Sequence, residues 1–211
     1  MKVTKFQHAC LLIEHEGTTL LVDPGEFAHD LIAPKHLDGV IITHEHPDHF
    51  DEKLVEKILK KYPKATIAGP ESIVAQFSSH PTISAAINTP FTIGNVSLRF
   101  YGGIHAPIIP TLPTPDNFGV LINDSLYYPG DSFVVPEDTK VDVLALPVSA
   151  PWLKISDALA FLVAIKPRVV FPTHDGILSA DGKAVVDRLA SKAAGVIGAT
   201  YRRLDDSSVK L

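Results

Sequence analysis

The chain has 211 residues, 45% of them hydrophobic, and 19 Lys and Arg against 24 Asp and Glu give it a formal net charge of -5. That length and apolar content suffice for one substantial core, so a single domain over 1–211 is expected. The acidic balance argues against a general nucleic-acid surface, the lone Cys10 excludes an internal disulfide, and no apolar run approaches the roughly 20 residues of a membrane span.

In chain order, Val3 to Phe6, Ala9 to Glu14 and Thr18 to Val22 predict a three-stranded meander, with Glu16-Gly17 turning between the second and third strands. Met1 to Phe6 runs straight into the first of them without a leader pattern, so a soluble cytoplasmic protein is expected. Val40 to Thr43 is a short β-branched run suited to a buried strand. Asp51 caps an amphipathic helix to Lys61 that buries Leu54, Val55, Ile58 and Leu59 and leaves Lys57, Lys60 and Lys61 in solvent. Ala65 to Ala68 reads as a strand and Glu71 to Ser78 as a helix. Two hairpins follow, Thr92 to Tyr101 around Gly94-Asn95 and Val120 to Tyr128 around Asn123-Asp124. Val141 to Pro147 reads as a buried strand, Ser156 as the cap of a helix over Asp157 to Ile165, and Arg168 to Pro172 as a strand. A helix from Ala180 to Ala194 closed by Gly195 and an edge strand at Thr200 to Leu204 complete the series. Strands in two blocks, each followed by helices, predict an α/β protein built as a four-layer αβ/βα sandwich.

The string His44-Glu45-His46-Pro47-Asp48-His49 puts four metal-capable side chains directly after the Val40 to Thr43 run. Pro47 disfavours the helical region for His46, which keeps the loop irregular and lets the side chains splay toward two points. One ion could not easily use all four, whereas two adjacent ions could. Three more strand-like runs end in donors: Gly102-Gly103-Ile104-His105, Pro129-Gly130-Asp131 and Pro172-Thr173-His174. Imidazole and carboxylate donors without a thiolate suit zinc, manganese or iron. Two such cations would lower the pKa of water to near 7, so that a metal-bound hydroxide could attack an ester, lactone or phosphodiester.

These residues, with Asp23 in Val22-Asp23-Pro24 and the opening Phe6-Gln7-His8-Ala9-Cys10-Leu11-Leu12-Ile13, resemble the metallo-β-lactamase superfamily, and the opening resembles its small lactonase-like branch. The match runs from residue 6 to residue 175 in the family's order. The resemblance implies a dinuclear hydrolase in which His44, His46 and His105 hold one metal, Asp48, His49 and His174 the other, and Asp131 bridges. Asp48 and Asp131 would also orient water, and His8 would face the substrate or serve only the structure. Asp23 would either fix the tautomer of a ligating imidazole or simply shape a turn, and Asp175 is open in the same way. The proline-bearing stretch Ala106 to Asp116 is expected to wall the pocket.

Within that resemblance, Cys10 lies far from the Asp131 position, which excludes the β-lactamases with a cysteine ligand. His46 stands where oxygen-activating iron relatives carry a carboxylate. Only 37 residues follow His174, too few for the helical domain of the glyoxalase II-like thioesterases, and the long inserts of RNA-processing relatives are absent. The expected partner is a small-molecule substrate, with neither nucleic acid nor membrane, and self-association is left open. The alternatives are a catalytically silent metal-binding module or a nucleic-acid phosphodiesterase.

Overall fold

The computed structural model describes every residue except 110, 112, 205–207 and 211, so Pro110 of the proline-bearing stretch lies outside the described residues. Its strands form two seven-stranded mixed sheets. The first contains β1 (Lys2–Lys5), β2 (Leu11–His15), β3 (Thr18–Val22), β4 (Gly39–Ile41), β5 (Thr66–Gly69), β6 (Thr82–Ser84) and β14 (Ser208–Lys210), in the order β14-β1-β2-β3-β4-β5-β6. The second contains β7 (Pro90–Ile93), β8 (Val96–Gly102), β9 (Phe118–Ile122), β10 (Leu126–Tyr128), β11 (Val143–Pro147), β12 (Val169–Thr173) and β13 (Thr200–Tyr201), in the order β13-β12-β11-β10-β9-β8-β7.

Side chains alternate across each strand, and this alternation builds the layers. Leu11, Ile13, Leu20, Val22 and Ile41 of the first sheet meet Leu98, Phe100, Val120, Ile122, Tyr128 and Phe171 of the second in one central core. Their neighbours Leu12, Leu21, Val40 and Ile42 point the other way, onto α1 (Glu52–Lys61) and α2 (Glu71–Val74). Leu121, Tyr127, Leu144 and Val170 likewise back onto α3 (Ile155–Ile165) and α4 (Ala180–Val196). The four-layer αβ/βα sandwich is therefore observed, with helices outside both sheets.

Several boundaries differ from expectation for identifiable reasons. The Glu71 segment is α-helical for only one turn and continues as a 3-10 turn at Ala75–Phe77. Lys154, not Ser156, occupies the N-cap of α3, and Ser156 Oγ bonds Asp157 inside the first turn. Ser179 caps α4 by accepting from Gly182 N at 3.1 Å, and Gly195 falls within that helix rather than closing it. β6 and β14 were not anticipated, being three-residue edge strands without a long apolar run.

The topology explains why donors remote in sequence converge. β1 and β3 are each antiparallel to β2, and β4 is parallel to β3, so β1, β3 and β4 run the same way. In the second sheet β8 and β10 are each antiparallel to β9, while β11 and β12 follow β10 in parallel. These co-directional strands lead into His8, Asp23, His44 to His49, His105, Asp131 and His174 in turn. Two backbone bonds stitch the sheets together at that edge, Phe118 N to Thr43 O at 3.0 Å and His174 N to His8 O at 3.0 Å.

Candidate metal centre

The structure brings all seven expected donors together, in two groups that also take in His8. His44, His46, His105 and Asp131 offer ligand atoms that all lie within 4.8 Å of one another, and so do His8, Asp48, His49 and His174. Asp131 stands between the groups. Its Oδ1 is 3.1 Å from His49 Nε2 and 3.2 Å from His174 Nε2, while its Oδ2 is 3.2 Å from His105 Nε2 and 4.0 Å from His44 Nε2. Asp48 Oδ2 adds a contact of 3.2 Å to His174 Nε2.

Which ring nitrogen faces the centre is fixed from behind. His105 Nδ1 donates to Ala106 O and His174 Nδ1 to Ser149 O, each at 2.5 Å. His49 Nδ1 donates to Asp23 Oδ2 at 2.6 Å. Thr43 Oγ1 gives its proton to Asp23 Oδ2 and so accepts from His44 Nδ1 at 3.0 Å. With the proton on Nδ1, each neutral imidazole presents a bare Nε2 lone pair to the centre. His44, His49 and His174 Nε2 and Asp131 Oδ1 are buried there without a hydrogen-bond partner. Lone pairs and carboxylate oxygens at such distances repel unless a proton or cation lies among them. Two ligands of a tetrahedral zinc with bonds of about 2.0–2.1 Å stand about 3.3–3.4 Å apart, close to the spacings found, so the donors fit divalent cations.

The electrostatics lead to the same conclusion. Burial opposes the charged forms, yet the carboxylates of Asp131 and Asp23 hold His49 well above the usual histidine value. For His174, burial is outweighed by the carboxylates of Asp131 and Asp48, each 3.2 Å from its Nε2, which raise it to about 9. Burial would raise Asp131, but His49, His105 and His174 pull it well below the carboxylate range, and Asp48 is depressed in the same way by His174 and His8. His44 is driven well down by burial and by His49. Without metal, the centre is an array of carboxylates kept ionised by protons on neighbouring imidazoles.

Two positions show how the chain reaches this arrangement. Gly25 lies so close under the donor loop that a Cβ there would stand 2.0 Å from Asp48 O. Gly130, with φ +59, turns the chain into Asp131 at a place where a Cβ would meet Asn117 Oδ1 at 2.3 Å. His8, Asp23 and His174 are non-glycine residues with φ of 65, 45 and 59, a left-handed conformation that costs on the order of 1–3 kcal/mol each.

Asp23 is fully buried and accepts four bonds, from Thr43 N, Thr43 Oγ1, His49 Nδ1 and Tyr128 Oη, so it positions imidazoles rather than only shaping a turn. Asp175 points away from the donors, into a buried pairing with Lys5 at 3.0 Å and with Arg203. His8 does not face an open pocket; it is fully buried, its ring 4.0 Å from that of His174. Gly176 N donates to His8 Nδ1, so Nε2 carries the proton and donates to Asp48 Oδ2 at 3.1 Å. Burial pushes His8 down to about 4, so it is neutral, with the opposite tautomer to the four inward-facing imidazoles. His8→Ala is expected to keep its full metal content by elemental analysis while turnover falls, with His8→Gln restoring part of it; loss of one metal equivalent would make Nε2 a ligand instead.

Sequence reasoning missed Trp152, Asn117 and Tyr128. Trp152 Nε1 donates to Asp131 Oδ2 at 2.6 Å, and Asn117 holds the turn through Asp131 N at 2.9 Å and Pro129 O at 3.0 Å. The available cues were a lone tryptophan in a loop after a strand, and the inward phase of Tyr128 on its strand.

The chain matches the family model described as a beta-lactamase superfamily domain over residues 2–174, well over half its length. The chain belongs to the β-lactamase superfamily. Superfamily relatives include Protein Rv0786c of Mycobacterium tuberculosis, 36% identical over 190 residues that cover 88% of this chain and 89% of that protein. The UPF0173 metal-dependent hydrolase NEQ378 of Nanoarchaeum equitans is 27% identical, covering 82% and 83% of the two chains. The superfamily fold recurs in Igni18, a metallo hydrolase from Ignicoccus hospitalis, with a TM-score of 0.76, 21% identity, and coverage of 100% of this chain and 98% of that one. Among the described residues, no helix is long and apolar enough to cross a membrane.

Proposed function

We propose that this chain is a metal-dependent hydrolase that uses two divalent cations, zinc by the preference of its donors and otherwise manganese or iron, to cleave an ester, lactone or phosphodiester bond in a small molecule. The observation that carries this reading is the set of buried Nε2 atoms without a hydrogen-bond partner, each backed by a bond at Nδ1, arrayed around the divided carboxylate of Asp131. The metal-dependent hydrolase activity in the name of the NEQ378 relative supports the same class. A cytoplasmic setting accords with a single buried, unpaired Cys10.

His44, His46 and His105 would hold one cation, Asp48, His49 and His174 the other, and Asp131 both. Such a pair would supply hydroxide near pH 7 and Lewis acidity toward the oxygen of the bond to be broken. Asp48 stays ionised and offers Oδ2, steadied by His8, to orient a water. Trp152 holds Asp131 in place through its indole N–H.

Metal uptake tests the reading, and its sign with pH follows from His174. With a pKa of about 9 in the metal-free protein, His174 carries a proton at pH 7 that a cation must displace. Because this value lies above the unfolded value of 6.5, the stability it contributes is complete below about pH 6.5 and is lost as pH rises through 9. Chelated protein is therefore expected to lose melting temperature between those limits. Titration with zinc is expected to saturate at two equivalents, release protons and restore the loss. Turnover of lactone and phosphodiester panels should appear only with metal; stoichiometric metal without turnover would make the chain a binding module.

A further inference from the structure

Beside the metal centre lies a small cavity of about 150 Å³, bounded by His46 and His105 on one side and by Ala106, Ile108, Ile109, Pro113, Thr114 and Pro115 on the other. Six described residues of the expected wall, from Ala106 to Pro115, thus line a cavity that touches the candidate donors directly. His46 is the half-buried imidazole of its group, so this is where the centre opens. Among the described residues that border the cavity there is no Lys, Arg, Asp or Glu, and Thr114 carries the one side-chain hydroxyl. Ile108 and Ile109 remain 42% and 49% exposed, so aliphatic surface is left for a ligand to cover. A second groove begins at Ile104, the residue before His105, and it is bordered by Val134, Val135 and the acidic Glu137 and Asp138. Among the described residues, neither lining includes a Lys or Arg to receive a second anionic group, and Asp138 is already paired with Arg99 at 2.8 Å.

We infer that the substrate is an uncharged carboxylic ester or lactone that carries, next to the scissile bond, an apolar group of about benzene size seated against Ile108 and Ile109. The volume sets the size: an aliphatic cavity of about 150 Å³ accommodates benzene. The lining sets the polarity, since a charged or phosphorylated group here would lose its hydration without a compensating partner. This rests on the hydrolase reading above and narrows it, placing neutral carbonyl substrates ahead of phosphodiesters.

A homologous series of γ-lactones, with side chains from hydrogen to octyl, tests the inference on the metal-loaded protein. Each buried methylene should raise kcat/KM about fourfold until the cavity fills near six carbons, after which the gain stops. Lactones ending in a carboxylate, and bis(p-nitrophenyl) phosphate, should be poorer substrates. Ile109→Asp should abolish the chain-length gradient while metal content stays unchanged; if that variant does not fold, Ile108→Ala should flatten the gradient by raising KM. An independent readout uses Trp152, the single tryptophan, whose ring lies 6.1 Å from that of His105. Its fluorescence should report tighter binding of hexanamide than of acetamide or hexanoate. A flat chain-length series, a preference for the carboxylate or phosphate compounds, or equal binding of the two amides would overturn the inference. Absence of any turnover with both metals bound would count against the hydrolase reading alone, and the fluorescence titration would still decide the cavity's preference.

Discussion

Replacing Asp131 by alanine is expected to remove most bound metal and to lower kcat/KM by on the order of 10³ or more, the effect of losing several kcal/mol of charge stabilisation at the reacting centre. Its two oxygens reach three imidazole nitrogens at 3.1–3.2 Å and a fourth at 4.0 Å, so a single truncation strips both groups of donors at once. The protein should nonetheless fold. The backbone of Asp131 is held by its own N–H to Asn117 Oδ1 and by its carbonyl, which accepts from Ala106 N at 2.9 Å, and alanine keeps both bonds. Elemental analysis and steady-state kinetics on the purified variant check this. Two retained metals with near-normal turnover would refute the shared role.

The second large effect is expected at Asp23, which touches no substrate. Asp23→Ala leaves Thr43 N, Thr43 Oγ1, His49 Nδ1 and Tyr128 Oη without their acceptor in a fully buried place. Each orphaned group costs on the order of 1–3 kcal/mol, so a melting-temperature drop of many degrees should accompany the change. Freed from Asp23, the His49 ring can turn, and metal affinity should fall about 10- to 100-fold. Asp23→Asn tests the electrostatic share: it keeps the shape but puts an amide where donors converge. It should fold better than the alanine variant and still bind metal poorly. Calorimetric zinc titration separates the two outcomes, and unchanged affinity in both would reduce Asp23 to a turn former.

The layers of this fold were readable because apolar alternation is a local property. Leu11, Leu12 and Ile13 declare two faces within three residues, and each face found its partner layer. The donors were readable because they end such strands, and co-directional strands deliver their ends to one edge. Side-chain bonds between distant segments were not readable. Nothing around Trp152 announces that its N–H meets Asp131, 21 residues away, and the tautomer of His8 depends on Gly176 N, 168 residues away. Caps were misplaced where capping chemistry was ambiguous. Ser156 has the right side chain, but the chain enters α3 two residues earlier, at Lys154. Short edge strands such as β6 and β14 carry too little apolar pattern to stand out from loops.

Each group of donors draws from both sides of the sandwich: His44 and His46 from the first sheet meet His105 and Asp131 from the second, and His8, Asp48 and His49 meet His174. Neither sheet supplies either of these four-residue groups alone. A cation held there would act as a rivet across the open rim, so its loss is expected to loosen the hinge between the halves before it disturbs either half. Amide exchange in stripped protein should accordingly quicken first at Phe118 and His174, whose N–H groups make the backbone stitches of that rim, while the helix-covered strands keep their protection.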